Sequence, residues 1–94
     1  MTEIYYVEDD EAIARTVKEF LCGRGYRVTV LSTIADAKQA IRCRCPSLVL
    51  VDWNMPDGSG DALCRWIRAG WSGLPVIFLT VRGDSRDVVS GFQN

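Results

Sequence analysis

Ser47–Gly60 reads SLVLVDWNMPDGSG, and the fold is decided by this stretch. Leu48–Val51 is an unbroken apolar run of strand-favouring residues that stops at Asp52. A run that is apolar on every residue predicts a strand buried on both faces, as in a parallel sheet covered by helices. The loop after it is rich in Asn, Pro, Asp and Gly. Open α/β sheets place their chemistry at the carboxyl ends of the strands, which makes Asp52 the leading functional candidate.

Working outward, the same alternation recurs. Glu3–Val7 (EIYYV) is strand-like and ends in four acids, Glu8 to Glu11. Ile13, Val17 and Leu21, with Phe20 beside them, then repeat at helical spacing up to Gly23 and Gly25. Asp10 is the expected N-cap, and Glu11 suits the positive end of the helix dipole. Arg27–Leu31 (RVTVL) alternates as a second strand. Ser32 or Thr33 caps a second helix with Ile34, Ala37 and Ile41 on one face, and Pro46 ends it. Beyond Asp52, Ser59 or Asp61 caps a helix carrying Leu63, Trp66 and Ile67 that Gly70 closes. Pro75–Thr80 (PVIFLT) predicts a fourth buried strand, and Asp84 or Ser85 opens a helix with Val88, Val89 and Phe92. The order βαβαβαβα implies right-handed crossovers and one parallel α/β sheet.

Composition narrows the function. The 94 residues fit one small domain, and 48 % apolar content excludes a disordered chain. With 11 Lys+Arg against 12 Asp+Glu there is no basic footprint for nucleic acid or membrane. No apolar run approaches the roughly 20 residues of a membrane span, and the acidic N-terminus lacks a signal pattern, which predicts a cytoplasmic protein. The chain has no histidine, so Ser-His-Asp and Cys-His catalysis are excluded within it. Cys22, Cys43, Cys45 and Cys64 form no CxxC pair and read as four reduced thiols. Gly58-Ser59-Gly60 fails as a dinucleotide loop because Leu63 holds the third glycine position, and no phosphate-binding GxxxxGK[ST] loop exists. Trp66 and Trp71 read as helix packing, and Arg42 and Arg44 as a solvated helix end.

Glu8 and Asp9 follow the first strand, Asp52 the third and Thr80 the fourth. All carboxyl ends of a parallel sheet lie on one edge, so these groups converge if strands 1 and 3 are neighbours. Two carboxylates about 5 Å apart repel by roughly 3 kcal/mol at an effective dielectric near 20. A cation relieves that cost, and hard oxygen ligands suit Mg²⁺. Screened in this way, an Asp52 oxygen can attack a phosphoryl group to make an acyl phosphate, with Thr80 bonding the phosphoryl oxygen.

At this point the chain resembles the receiver domain of bacterial two-component response regulators. The resemblance rests on YYVEDDEAI at 5–13, LVLVDWNMPDGSG at 48–60 and VIFLTVRGD at 76–84, in order and covering almost the whole chain. Its specific part is D-x-x-M-P-x-x-x-G (Asp52, Met55, Pro56, Gly60) with the upstream acidic pair. The resemblance implies a flavodoxin-like fold, the sheet order 2-1-3-4-5 being the family's. It makes Asp52 the phosphoacceptor, Asp9 a direct Mg²⁺ ligand, Glu8 a ligand acting mostly through water, Asn54 a ligand through its backbone carbonyl, and Thr80 the switch hydroxyl. It implies that the phosphoryl donor is a histidine on a partner kinase, and that the chain is a phosphoacceptor rather than an enzyme. The wording EDDEAI and LTVRGD is similar to regulators with a winged-helix output domain, so DNA would be reached only through a segment outside these residues.

Two departures stand out. The family's domain continues through a fifth strand, with a phosphate-binding lysine and an aromatic switch residue, and a fifth helix. The resemblance therefore implies that residues 1–94 are a C-terminally incomplete receiver domain with strand order 2-1-3-4. The only lysines, Lys18 and Lys38, fall on the first two helices, away from the acidic edge, and Val81 replaces the usual small residue after the threonine. Val76–Leu79 would then form an exposed apolar edge that pairs with a second copy. The alternative reading is a phosphorylation-independent receiver-like dimerisation module. A haloacid-dehalogenase-type hydrolase fits poorly, because Asn54 stands where that class has its second aspartate.

Overall fold

The computed structural model describes residues 1–52 and 54–79; Trp53 and residues 80–94 lie outside it, and of Asn54 it describes the backbone. The expected Thr80 site, Val81 and the helix of Val88, Val89 and Phe92 therefore lie outside the described residues.

The elements in chain order are β1 (Glu3–Val7), α1 (Glu11–Gly23), β2 (Arg27–Leu31), α2 (Ile34–Cys43), β3 (Leu48–Val51), β4 (Asn54–Met55), β5 (Gly58–Ser59), α3 (Gly60–Gly70) and β6 (Val76–Phe78). The main sheet is parallel, in the order β2-β1-β3-β6, as expected. Side chains alternate across each strand, so the two cores separate by residue parity. Tyr5, Val7, Val49 and Val51 face α2 and α3, packing on Ile34, Ala37, Ile41, Leu63 and Ile67. Ile4, Tyr6 and Leu50 face α1 and pack on Ala14, Val17 and Leu21. Both faces of β3 are thus buried, which is why its run carries no polar residue.

The helix caps follow the sequence closely. Asp10 accepts from the Ile13 N–H, Thr33 from Asp36 and Ser59 from Ala62. At the C-terminus of α1, Gly25 takes φ +94°; the Gly25 N–H bonds Cys22 O and the Tyr26 N–H bonds Leu21 O. That pairing is a Schellman motif, and a left-handed residue there favours glycine.

Four expectations are corrected. Ile13 stands off the core, and Ala14 takes the buried position on α1, with Phe20 60 % exposed under the Arg24 guanidinium. Pro75 lies outside the fourth strand because it has no N–H to donate, although its carbonyl still accepts from the Val49 N–H. Arg42 is not simply solvated: its guanidinium and the Lys38 ammonium both lie over the Trp66 ring, at 5.2 and 5.5 Å from its centre. The segment after Asp52, expected as a loop, contains the hairpin β4–β5, with Asn54 opposite Ser59 and Met55 opposite Gly58. Pro56 and Asp57 form its two-residue turn, and Met55 reaches the core. Trp66 and Trp71 pack together as expected, with ring centres 4.9 Å apart. All four cysteines are free.

Candidate functional site

The register of the sheet builds the site. Val7 and Val51 are paired at the ends of β1 and β3, so Glu8 and Asp52 emerge side by side. The ladder continues one step beyond the strands: the Asp52 N–H bonds Val7 O, and the Glu8 N–H bonds Leu31 O, each at 2.9 Å. The Asp52 backbone is therefore held by the sheet rather than by the loop.

One carboxylate oxygen from each of Glu8, Asp9 and Asp52 lies within 4.8 Å of the others. Glu8 is buried, Asp9 exposed and Asp52 half-buried. Glu8 Oε1 accepts from the Tyr6 hydroxyl and Glu8 Oε2 from the Asp10 N–H, both at 3.2 Å. Burial pushes the Glu8 carboxyl up to about 7 from an ordinary 4.5. The Asp10 N–H opposes that rise, and the neighbouring Asp52 carboxyl adds to it. The four acids take different positions. Glu8 and Asp9 turn to the cluster, whereas Asp10 caps α1 and Glu11 lies in its first turn.

The donor set fits a hard divalent cation. Oxygens on an octahedral Mg²⁺ span about 3 to 4 Å, close to the spread of the three carboxylates. Burial is the main reason the Glu8 carboxyl is raised, with the neighbouring Asp52 carboxyl adding to it, and a cation held between them would favour both ionised forms. The Asn54 carbonyl belongs to a hairpin strand that begins two residues after Asp52.

Lys18 lines the same groove as two of the cluster's acids. This groove of about 730 Å³ is lined by Glu8 and Asp9 together with Arg15 and Lys18 of α1, Val30 of β2 and Ser32 just after it. Lys38 instead lies over Trp66.

Three residues that support the site escape the sequence reading. Tyr6 reads as a strand former, yet its hydroxyl is buried against Glu8. Gly60 reads only as part of a motif, yet a Cβ there would stand 2.6 Å from the Asp52 carbonyl oxygen and 3.2 Å from the Phe78 ring. Asp57 reads as a loop residue, yet its two carboxylate oxygens accept from the Ile34 and Ala35 N–H groups at 2.9 and 3.0 Å. The Ile34 amide foremost, with that of Ala35, holds the Asp57 carboxyl below the usual carboxylate range.

Comparison with known proteins agrees with this geometry. Residues 4–94 match the model of the response regulator receiver domain family. The chain is 36 % identical over 93 residues to the KDP operon transcriptional regulatory protein KdpE of Escherichia coli, covering 99 % of this chain and 41 % of that protein. It is also 36 % identical over 91 residues to the DNA-binding response regulator MtrA of Mycolicibacterium smegmatis, covering 97 % of this chain and 40 % of that protein. The chain thus spans about two fifths of the length of these relatives. Among solved structures, the non-phosphorylated HemR receiver domain of Leptospira biflexa superposes with a TM-score of 0.81 at 35 % identity, over 99 % of this chain and 75 % of that one. The response regulator TrrA of Thermotoga maritima, solved with Mg²⁺ and a beryllium fluoride, gives 0.84 at 28 % identity over 96 % of this chain and 78 % of that one. With its sheet order, its acidic edge and a family match over nearly all of its length, the chain belongs to the response regulator receiver domains.

Proposed function

We propose that this receiver domain is a phosphoacceptor, taking a phosphoryl group onto Asp52 from a histidine of a partner kinase. The observation that carries the reading is the meeting of Glu8, Asp9 and Asp52 within 4.8 Å at the carboxyl edge of the sheet. The Asp52 carboxylate oxygen attacks the phosphorus of the phosphohistidine, and the P–O bond forms as the P–N bond breaks. The imidazole leaves with the electron pair and takes up a proton. Mg²⁺, when bound, neutralises phosphoryl and carboxylate charge. Asp9, Glu8, Asp52 and the Asn54 carbonyl are the groups that would hold it, Glu8 mostly through water.

The ladder bond from the Asp52 N–H to the Val7 carbonyl keeps the acceptor in place. Thr80, which follows Leu79 directly, is the hydroxyl proposed to bond the transferred phosphoryl group. The reading makes the domain a signalling element rather than an enzyme acting on a small substrate, working in the cytoplasm beside its kinase. Any effect on DNA passes through a segment outside this chain. Pairing of a second copy along the Val76–Leu79 edge is part of the proposal, since among the described residues β6 pairs with β3 alone. A monomer mass by light scattering at high concentration overturns that part.

The central test is intact-mass analysis after incubation with a small acyl phosphate and Mg²⁺. The expected result is the gain of one phosphoryl group, abolished by Asp52→Asn and by chelating the metal. Labelling that survives Asp52→Asn places the acceptor elsewhere and overturns the assignment to Asp52, and none in the wild-type chain overturns the reading and favours a phosphorylation-independent interaction module.

A further inference from the structure

The hairpin β4–β5 leaves the acceptor site and meets α2, an element that contributes none of the three carboxylates. Two contacts join them. The Asp57 carboxylate bonds the Ile34 and Ala35 N–H groups, and Gly58 packs so closely on Ile34 that a Cβ there would lie 3.1 Å from Ile34 Cδ1. The first amides of a helix have no partner within it, so a carboxylate that reaches both satisfies two orphan donors at once. α2 therefore carries two caps of different origin. Thr33 accepts from Asp36 within the helix, and Asp57 comes from 23 residues further along the chain.

On the other side, the hairpin is tied to Asp52. Met55 is buried in the core, Asn54 pairs with Ser59, and Gly60 lies against the Asp52 carbonyl. The segment from Asp52 to Gly60 is thus a short bridge fixed at its two ends by backbone contact and at its tip by Asp57.

We propose that Asp57 is a positioning residue for the acidic site: by capping α2 it fixes the hairpin whose first strand carries the Asn54 carbonyl. The inference rests on the reading of Asp52 as a phosphoacceptor beside a divalent cation. Residues that orient metal ligands without touching the metal typically change its affinity about 10- to 100-fold.

The test compares Asp57→Ala, Asp57→Asn and Thr33→Ala in the full chain, with Mg²⁺ titration followed by tryptophan fluorescence and phosphoryl uptake from a small acyl phosphate. Asp57→Ala is expected to weaken Mg²⁺ about tenfold and to slow uptake, at the lower end of that range. Asp57→Asn, which keeps an acceptor oxygen at the tip, recovers most of the loss and keeps the variant folded. Thr33→Ala removes a cap from the same helix without touching the hairpin, and leaves Mg²⁺ affinity unchanged. Equal losses in Thr33→Ala and Asp57→Ala, or no loss in Asp57→Ala, reduce Asp57 to a helix cap and overturn the inference alone. A wild-type chain without any response to Mg²⁺ overturns the inference together with the reading beneath it.

Discussion

The Tyr6 hydroxyl donates to Glu8 Oε1 across 3.2 Å, and both side chains are buried. The strand that supplies the acidic pair therefore also supplies a donor for one of its members. Burial, and next the charge of Glu8, push the Tyr6 phenol well above its ordinary range, so it remains a donor throughout the physiological range. Removing it with Tyr6→Phe leaves a buried carboxylate oxygen short of a partner. Such a loss typically costs about 1–3 kcal/mol. Urea unfolding should show a lower midpoint with an unchanged slope; an unchanged midpoint would mean that the bond adds nothing.

Glu8 sets a pH dependence whose direction follows from its raised value. Its carboxyl titrates at about 7 in the fold against 4.5 ordinarily. Between these values the folded chain holds a proton that the unfolded chain has released, so stability falls as pH rises. The contribution is full below pH 4.5, is lost through pH 7, and is on the order of 3 kcal/mol. Thermal unfolding without metal should show this decline, and Glu8→Gln should flatten it. Mg²⁺ favours the ionised carboxylate and should restore stability above pH 7. A metal-free profile that rises between pH 5 and 7 in the wild type, but not in Glu8→Gln, would contradict the assignment.

Gly60 is required by a close approach rather than by backbone conformation, since its φ is not positive. In Gly60→Ala the new methyl meets the Asp52 carbonyl, which the sheet ladder holds in place. Overpacking of this kind costs about 1–3 kcal/mol. Gly70, with nothing within 4 Å of a built Cβ, is the internal control. Gly70→Ala should be neutral or mildly stabilising through helix propensity. Equal melting temperatures for the two variants would show that the Asp52 loop yields to the methyl.

The sequence alone determined the framework because its signals are local. Leu48–Val51 is apolar on every residue since both of its faces are covered, and Asp10, Thr33 and Ser59 cap helices through atoms three residues away. Glu8, Asp9 and Asp52 were legible as candidates because all of them follow strands, and parallel strands bring their carboxyl ends to one edge. What only the tertiary structure decided depends on residues far apart in the chain. The link from Asp57 to Ile34 crosses 23 positions, and Gly60 owes its necessity to a carbonyl across a loop. Tyr6 differs, being two residues from Glu8, but strand patterning gives the identity of a buried residue and not the direction of its hydroxyl. Lys18, read from the sequence as a residue of the first helix, shares a groove with Glu8 and Asp9, a neighbourhood set by how α1 packs on the sheet. Periodicity records which face a residue takes, whereas the partner it meets there is settled only when separate elements pack.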